Sequence, residues 1–291
     1  MSAKQGVDIR ARAASLAHDA LVAAYDAQRA RYASPNRSDA WGTLAQRFQA
    51  DPRRPLDSLL TKIASFIKPD DVLIDVGGGA GRLSLPMALR CKEVVVIDPS
   101  PGMGEVFDKV LKDSGVGNAR FVQTSWGDAK GVEGDVALVA HVTYFVREIV
   151  PFIEKLQSAA RRRVLVGMRS VPPPNQIAPF FRLAHGEELA PVPGHNELLA
   201  VLEELGIGAD LIDVGPATAL ATASTGKTRE DAVRAEVEVA KNQDWLGDVN
   251  PARLAELIDQ HFDELLVETA DGFSRRSVVG GRDLLITWET P

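Results

Sequence analysis

The chain has 291 residues, of which 45% are apolar and 25% charged, a balance typical of globular proteins with one large domain or two ordinary ones. Its formal net charge of −7 argues against a large nucleic-acid-binding face, and no apolar run approaches the ~20 residues that cross a bilayer. The single cysteine, Cys91, excludes an internal disulfide framework, so we expect a cytoplasmic protein.

The N-terminal part of the chain, residues 1–55, is predicted to be a helical cap. Apolar residues recur in it at helical spacing, and polar or proline-rich stretches interrupt the pattern at 34–39 and 51–55. A further helix is predicted over 56–67, because its leucines and isoleucines share one stripe and Pro69 follows.

The rhythm then changes to short runs rich in β-branched residues. Continuous apolar runs of this kind are typical of strands that are buried on both faces of a parallel sheet. Helical patterns over 82–91 and 149–160 separate some of them, so the sequence predicts a doubly wound α/β fold. The five predicted strands are 71–76, 93–98, 119–124, 135–140 and 163–168.

The C-terminal half predicts a proline-rich connection after residue 168 and further strands at 209–214 and 282–289. Helices are predicted over 195–207, 228–242 and 251–268. The resulting division is a cap (1–55), an α/β core (56–221), a helical insertion (222–272) that extends the cap, and the last strand of the core (273–291).

A glycine-rich loop, "DVGGGAG" (75–81), directly follows the first buried strand. A loop of this kind between a strand and a helix exposes backbone N–H groups, which suits a phosphate or a carboxylate. A dinucleotide site requires the spacing G-x-G-x-x-G, but Arg82 or Ser84 stands where the third glycine should be. The loop therefore does not fit a nicotinamide cofactor.

The spacing D-x-G-x-G-x-G, from Asp75 through Gly81, resembles the first motif of the class I S-adenosylmethionine-dependent methyltransferases. Asp98 ends the next strand in "VVVIDPSPGM", where that family carries an acidic residue that holds the two ribose hydroxyls. The resemblance covers residues 56–168 and, more loosely, the two late strands. It implies a Rossmann-like, seven-stranded, mostly parallel sheet whose last strand, 282–289, is antiparallel.

The resemblance also implies a cofactor site for S-adenosylmethionine. The methionine carboxylate is expected at the N–H groups that begin the 82–91 helix, Asp75 is expected near the ammonium, and the glycines leave room for the ligand. Ser125, Trp126 and Asp128 compete for the adenine contact. The expected cofactor-binding residues are Asp75, Gly77, Gly78, Gly79, Gly81, Asp98, Pro99, Met103, Ser125, Trp126, Ala140 and His141.

His141 and Tyr144 are the candidate catalytic residues, because they follow the fourth strand at the sheet edge where open α/β folds bind ligands. His141 could serve as a general base or contribute only backbone to the pocket wall. The histidines show no paired metal-ligand spacing, so no metal site is expected. Six aromatic residues could wall a substrate pocket: Trp41, Phe48, Tyr144, Phe145, Phe180 and Phe181. We expect some of them to pack the cap onto the sheet and only Tyr144 to reach the ligand.

The stretch "ATASTGKT" (221–228) nearly matches a nucleotide-binding P-loop, but Ala221 replaces its first glycine. A simpler interpretation is that Thr228 caps the helix that begins near Arg229.

The predicted reaction is methyl transfer from S-adenosylmethionine to an O, N, S or C nucleophile of a small molecule, with S-adenosylhomocysteine as product. Three alternatives stay open: a tRNA or rRNA methyltransferase, a nicotinamide-dependent oxidoreductase, and a cofactor-binding protein without catalysis. The helical insertion is a candidate surface for a homodimer.

Overall fold

The computed structural model describes residues 12–33, 39, 41–217, 226–270 and 272–291. Short segments of extended backbone alternate with helices through most of the chain. The strands are β1 Val72–Val76, β2 Glu93–Asp98, β3 Ala119–Gln123, β4 Gly134–Ala140, β5 Ala160–Arg169, β6 Asp210–Pro216, β7 Leu266–Thr269, β8 Gly272–Arg275 and β9 Arg282–Glu289.

Within the described residues, seven of these strands form one sheet in the order β3-β2-β1-β4-β5-β9-β6. β1 pairs in parallel with β2 on one side and β4 on the other. β9 runs antiparallel to both of its neighbours, β5 and β6. The predicted doubly wound, mostly parallel fold with an antiparallel last strand is therefore confirmed.

The sheet grows in opposite directions from β1: β2 and β3 follow it on one side, and β4 and β5 are added on the other side. Connections leave this point in opposite directions, so the carboxyl ends of the strands open a crevice there. The crevice can be rigid because Leu73, Ile74, Val95 and Val96 are at most 1% exposed.

Helices cover both faces of the sheet and extend beyond its carboxyl edge. Their apolar residues face the sheet or each other, which is what stabilises short helices in water. They are α1 Ala13–Ala30, α2 Ser58–Ala64, α3 Leu85–Ala88, α4 Pro101–Ser114, α5 Ile149–Ala159, α6 Ala178–His185, α7 His195–Glu204, α8 Arg229–Asn242, α9 Pro251–Gln260 and α10 Phe262–Leu265.

Two predicted helices are wrong in extent. The helix expected over 82–91 forms only a single turn, α3, because the left-handed turn at Gly81 runs directly into it and β2 begins at Glu93. The helix expected over 251–268 ends near His261, and the β-branched residues that follow belong to the hairpin β7–β8. α6 lies in a stretch that the sequence predicts as loop.

We call the helical layer over the carboxyl edge the roof: α1, the 3₁₀ segments Gly42–Phe48 and Pro173–Ile177, α6 and α8. Two apolar clusters lie on the faces of the sheet. A third apolar cluster is separate from them and contains Phe180, Phe181 and residues of α8 and α9. Of the helices described, none is long and apolar enough to cross a membrane.

Candidate functional site

A cavity of about 360 Å³ lies at the carboxyl ends of β1, β2 and β4. We call the side of it formed by these strand ends and the glycine loop the floor. The floor brings together most of the residues that the sequence predicts for the site. Those that line the cavity are Asp75, Gly77, Gly78, Gly79, Asp98, Pro99, Met103, Ala140, His141 and Tyr144.

The roof closes the cavity with a mainly apolar and aromatic surface. Trp41, Phe48 and Phe145 line the cavity along with Tyr144, so more of the aromatic candidates reach it than the sequence predicts. Phe180 and Phe181 are buried in the third apolar cluster. Four polar lining residues were not predicted: Arg29, Arg82, Asn242 and Gln243. Three of them come from helices distant in sequence, but Arg82 follows the glycine motif directly and could have been found from it.

The glycine loop packs against the protein's own side chains. Gly77, Gly79 and Gly81 have φ angles of 69°, 53° and 75°, which residues other than glycine rarely adopt. A Cβ on Gly78 would lie 2.2 Å from Oδ2 of Asp75, and one on Gly77 would lie 2.4 Å from Cγ2 of Val142. The turn and its packing therefore require these glycines, apart from any space that they leave for a ligand.

Gly81, Ser125 and Trp126, although all described, do not line the cavity. Gly81 faces Leu85 and Phe107 instead. The Ser125 hydroxyl donates to the Asp128 carboxylate at 2.6 Å, and the buried Trp126 indole N–H points to the Phe152 carbonyl at 3.4 Å. Their packing thus gives no support to an adenine contact.

Asp98 links the loop to the start of α4. Its carboxylate accepts hydrogen bonds from the N–H groups of Gly79 at 3.0 Å and Ser100 at 2.9 Å. Burial raises the pKa of Asp98, and these two donors oppose the rise. The carboxylate is held in one orientation at the cavity surface, where its remaining lone pairs can accept further hydrogen bonds.

The anion site expected at the start of the 82–91 helix stays a prediction, without the dipole of a full helix behind it. α3 is a single turn, and three of the loop's N–H groups already have partners within the protein. Gly77 donates to the Ile97 carbonyl at 2.7 Å, and Gly81 donates to the Gly78 carbonyl at 3.0 Å. The backbone of the loop therefore holds the turn together.

Asp75 is 2% exposed and lies under the loop. Burial raises its pKa to about 7; the Ser84 hydroxyl opposes this rise, and the Asp98 carboxylate adds to it. Near neutral pH the group is poised between acid and carboxylate. A cation brought into the cavity would favour its ionised form.

His141 is held in an unusual backbone conformation at the end of β4. Its φ is 61°, and its N–H donates to the Gly167 carbonyl at 2.9 Å. Burial lowers its pKa to about 3, and the guanidinium groups of Arg82 and Arg169 act in the same direction. The imidazole is therefore neutral near pH 7 and can donate or accept a hydrogen bond, but it is a weak base.

Tyr144 has a positioning role and is not a base. Its hydroxyl accepts the Arg169 N–H at 2.7 Å and lies 3.4 Å from Nδ1 of His141. Burial raises the pKa of the phenol, so it stays protonated in the physiological range. The geometry makes Tyr144 a support that fixes the ring of His141.

Two further features of the sequence concern metal ligands and the P-loop-like stretch. Among the residues described, no cluster of three or more His, Cys, Asp or Glu side chains could hold a metal ion. Residues 221–225 of the P-loop-like stretch lie outside the described residues. Thr228 does cap α8, because its hydroxyl accepts the Asp231 N–H at 3.1 Å.

Comparison with known proteins agrees with this geometry. Residues 73–163, which span β1 to β5, match the family model for a methyltransferase domain. The chain is 27% identical over 100 residues, 34% of its length, to a probable cobalt-precorrin-6B C(15)-methyltransferase (decarboxylating) of Methanococcus vannielii. It is 28% identical over 150 residues, 51% of its length, to an uncharacterised protein of Haemophilus influenzae. The matches span 54% and 55% of these two relatives, about half their length.

Solved structures share the fold at low sequence identity. The YcgJ protein of Bacillus subtilis has a TM-score of 0.51 and 14% identity, with 79% of this chain and 97% of that chain covered. The cyclase SpnF has the same TM-score and identity, with 84% and 86% covered. At this identity the likeness shows the fold alone and does not establish the reaction.

Residues 73–163 therefore form a methyltransferase domain. Its seven-stranded sheet has the Rossmann-like fold, and its glycine loop lies at the cavity, as the resemblance to the class I S-adenosylmethionine-dependent methyltransferases implies.

Proposed function

We propose that this chain binds S-adenosylmethionine in the cavity and transfers its methyl group to a small molecule. The observation that carries the proposal is that Asp98, Asp75, the glycine loop and His141 all line this cavity, with Asp98 and His141 at the ends of the strands on either side of β1. When bound, the cofactor supplies an activated methyl group on a sulfonium leaving group.

The residues of the floor fit this cofactor. Asp98 can accept two O–H groups at once, as a ribose diol requires, while keeping its bonds from Gly79 and Ser100. Asp75, whose pKa of about 7 reflects burial without a cationic partner, suits an ammonium group. Pro99 and Met103 supply an apolar surface beside Asp98 for a base.

His141 is the residue we assign to the acceptor, since it lines the cavity at the end of β4, two strands from Asp98. Neutral near pH 7, it can orient an acceptor hydroxyl or amine through a hydrogen bond. Tyr144 fixes its ring and the roof excludes water, so alignment is the protein's main contribution.

A small acceptor is favoured over RNA by the charges around the cavity. Arg31 and Arg147, on the roof side, pair with Glu187 at 2.7 Å and Asp26 at 2.8 Å. A nucleic-acid footprint needs a broad basic face, and the chain's net charge is −7. The cytoplasmic location and the homodimer remain predictions.

Calorimetry with S-adenosylhomocysteine tests the cofactor. Asp98→Asn keeps the side-chain shape but removes the charge, so we expect binding to weaken by ~1–3 kcal/mol. Asp108→Asn, on the exposed face of α4, is the matched control and should bind like the wild type. Equal affinity in both variants would place the ribose elsewhere.

Two further measurements separate the alternatives. Binding of a reduced nicotinamide cofactor without S-adenosylhomocysteine would favour an oxidoreductase. Binding of S-adenosylmethionine with no conversion to S-adenosylhomocysteine across a broad acceptor panel would favour a non-catalytic binding protein.

A further inference from the structure

Arg82 places a guanidinium group in the cavity without an anionic partner. It follows the glycine loop, lines the cavity and, within the described part of the chain, forms no salt bridge. Burial and the neighbouring Arg54 lower its pKa. Arg82 is half-buried, and a partly desolvated charge that lacks a partner is costly, so its retention calls for an explanation.

The carboxylates nearest to Arg82 are held by other groups. Arg54 and Arg169 are its cationic neighbours, and Asp57 and Asp283 are the carboxylates that act on it. Asp283, 2% exposed, lies 3.4 Å from Arg169, and Asp57 accepts the N–H of Leu60 at 2.8 Å to cap α2. A third carboxylate, Asp51, acts on Arg54 and not on Arg82.

The charged neighbours of Arg82 point to the acceptor side of the cavity. Arg169 ends β5 and Asp283 lies at the start of β9, which are two and three strands from β1 in the sheet. Asp98 ends β2, on the opposite side of β1. Arg82 lines the same cavity as His141, whose strand β4 lies on the side of β1 that carries Arg169 and Asp283.

We infer that Arg82 binds a carboxylate of the methyl acceptor, so that the substrate is an organic acid whose reacting atom lies near His141. This inference rests on the proposed function. A guanidinium suits the role because its fork of N–H donors can bind both carboxylate oxygens. The aromatic roof would contact the rest of the acid.

The other possible source of a carboxylate is the methionine part of the cofactor. The two sources differ in what the loss of Arg82 does. If the acceptor supplies the carboxylate, Arg82→Met leaves S-adenosylhomocysteine binding unchanged. If the cofactor supplies it, Arg82→Met weakens S-adenosylhomocysteine but not 5′-methylthioadenosine, which lacks the carboxylate, and the assignment to the acceptor is overturned.

The acceptor side is probed with matched pairs of acids and amides: benzoate, phenylacetate and 3-phenylpropanoate, each with its carboxamide. Affinities are measured by calorimetry with and without saturating S-adenosylhomocysteine. We expect an acid to bind about 10-fold or more tightly than its amide to the wild type, since a hydrogen-bonded charge is involved. The preference should disappear in Arg82→Met and partly return in Arg82→Lys.

Arg90→Met, which removes an exposed cation beside α3, is the control and should keep the preference. Equal affinity of all acids and amides for the wild type would overturn the inference, as would an acid preference that survives in Arg82→Met. Failure of the wild type to bind S-adenosylhomocysteine would instead count against the proposed function. The acid preference can still be measured without the nucleoside.

Discussion

The floor of the cavity is made of strand ends whose residues are buried on both faces of the sheet, whereas the roof joins the rest of the molecule through both apolar and polar contacts. α1, for example, buries Val22 and Tyr25, and it is also tied by Ser15 to Glu204 at 2.6 Å and by Asp26 to Arg147 at 2.8 Å. An exposed ion pair such as the latter contributes ~0–1 kcal/mol, while each buried aliphatic side chain contributes ~1.5–3 kcal/mol. The floor can therefore hold a cofactor in one geometry, and the roof can vary with the substrate.

The largest expected effect is on the one strong ionic contact described in the roof. Arg275 of β8 binds Glu236 of α8 through Nε, at 3.0 and 2.9 Å, and both side chains are at most 6% exposed. Arg275→Met leaves Glu236 buried without its partner, which should cost ~3–5 kcal/mol. Hydrogen exchange should show lost protection in α8, β7 and β8, with β1 unchanged.

The double variant Arg275→Met, Glu236→Leu is the control for this experiment. It removes both charges, so it should recover most of the stability. If the single variant lowers protection in β1 as much as in α8, the roof and the floor unfold together and the contrast between them fails.

Next in size is the pH dependence carried by Asp75 in the floor. Below pH ~4 the carboxyl is protonated in both the folded and the unfolded chain, so it adds no penalty. Its folded pKa is raised to about 7, so stability is lost as the pH rises towards 7. This shift of about three units corresponds to ~4 kcal/mol. Asp75→Asn should be the more stable protein at pH 8 and lose that advantage at pH 4.

Chemical denaturation at several pH values measures this difference. Asp113→Asn, an exposed residue of α4, is the control and should follow the wild type at every pH. Saturating S-adenosylhomocysteine should reduce the advantage of Asp75→Asn, because its ammonium would pair with the ionised Asp75. An advantage that does not change with pH would remove Asp75 as the ammonium partner.

The third comparison replaces one glycine of the floor and one glycine of the roof with alanine. Gly81 in the floor and Gly186 at the end of α6 have φ angles of 75° and 70°, so alanine costs each the same backbone strain of ~1–2 kcal/mol. At Gly81 the new Cβ also meets Cγ of Leu85 at 2.6 Å, whereas no described atom lies within 4 Å at Gly186. Overpacking should make Gly81→Ala the costlier by ~1–3 kcal/mol. Equal melting temperatures would mean that the floor adapts as easily as the roof.

The same contrast explains how much the sequence could predict. The strands of the floor and Asp98 were found because a run of β-branched residues reports burial locally and a motif follows at a fixed distance. α6 and the hairpin β7–β8 were missed because tertiary packing decides short elements. The gathering of Arg82, Arg169 and Asp283 could not be predicted, since three separate segments supply them.

The smallest effect is expected where the roof meets the floor. Asp39 accepts hydrogen bonds from the Ser100 hydroxyl at 2.9 Å and the Gly102 N–H at 3.1 Å, at the start of α4, and from the Gly42 N–H at 2.8 Å. Burial raises its pKa, but these bonds outweigh burial and lower it overall, so its contribution is lost only in acid. Asp39→Ala should cost ~1 kcal/mol, as for a lost helix cap.

Asp39→Ala should affect ligand binding more than it affects stability. Asp39 fixes the segment that carries Trp41 and Phe48, so its loss loosens one wall of the cavity. Asn250→Ala, which removes the cap of α9 away from the cavity, should cost similar stability but leave S-adenosylhomocysteine affinity unchanged. If the two variants bind alike, the segment Gly42–Phe48 is not a working part of the roof, and specificity must come from α1 and α8.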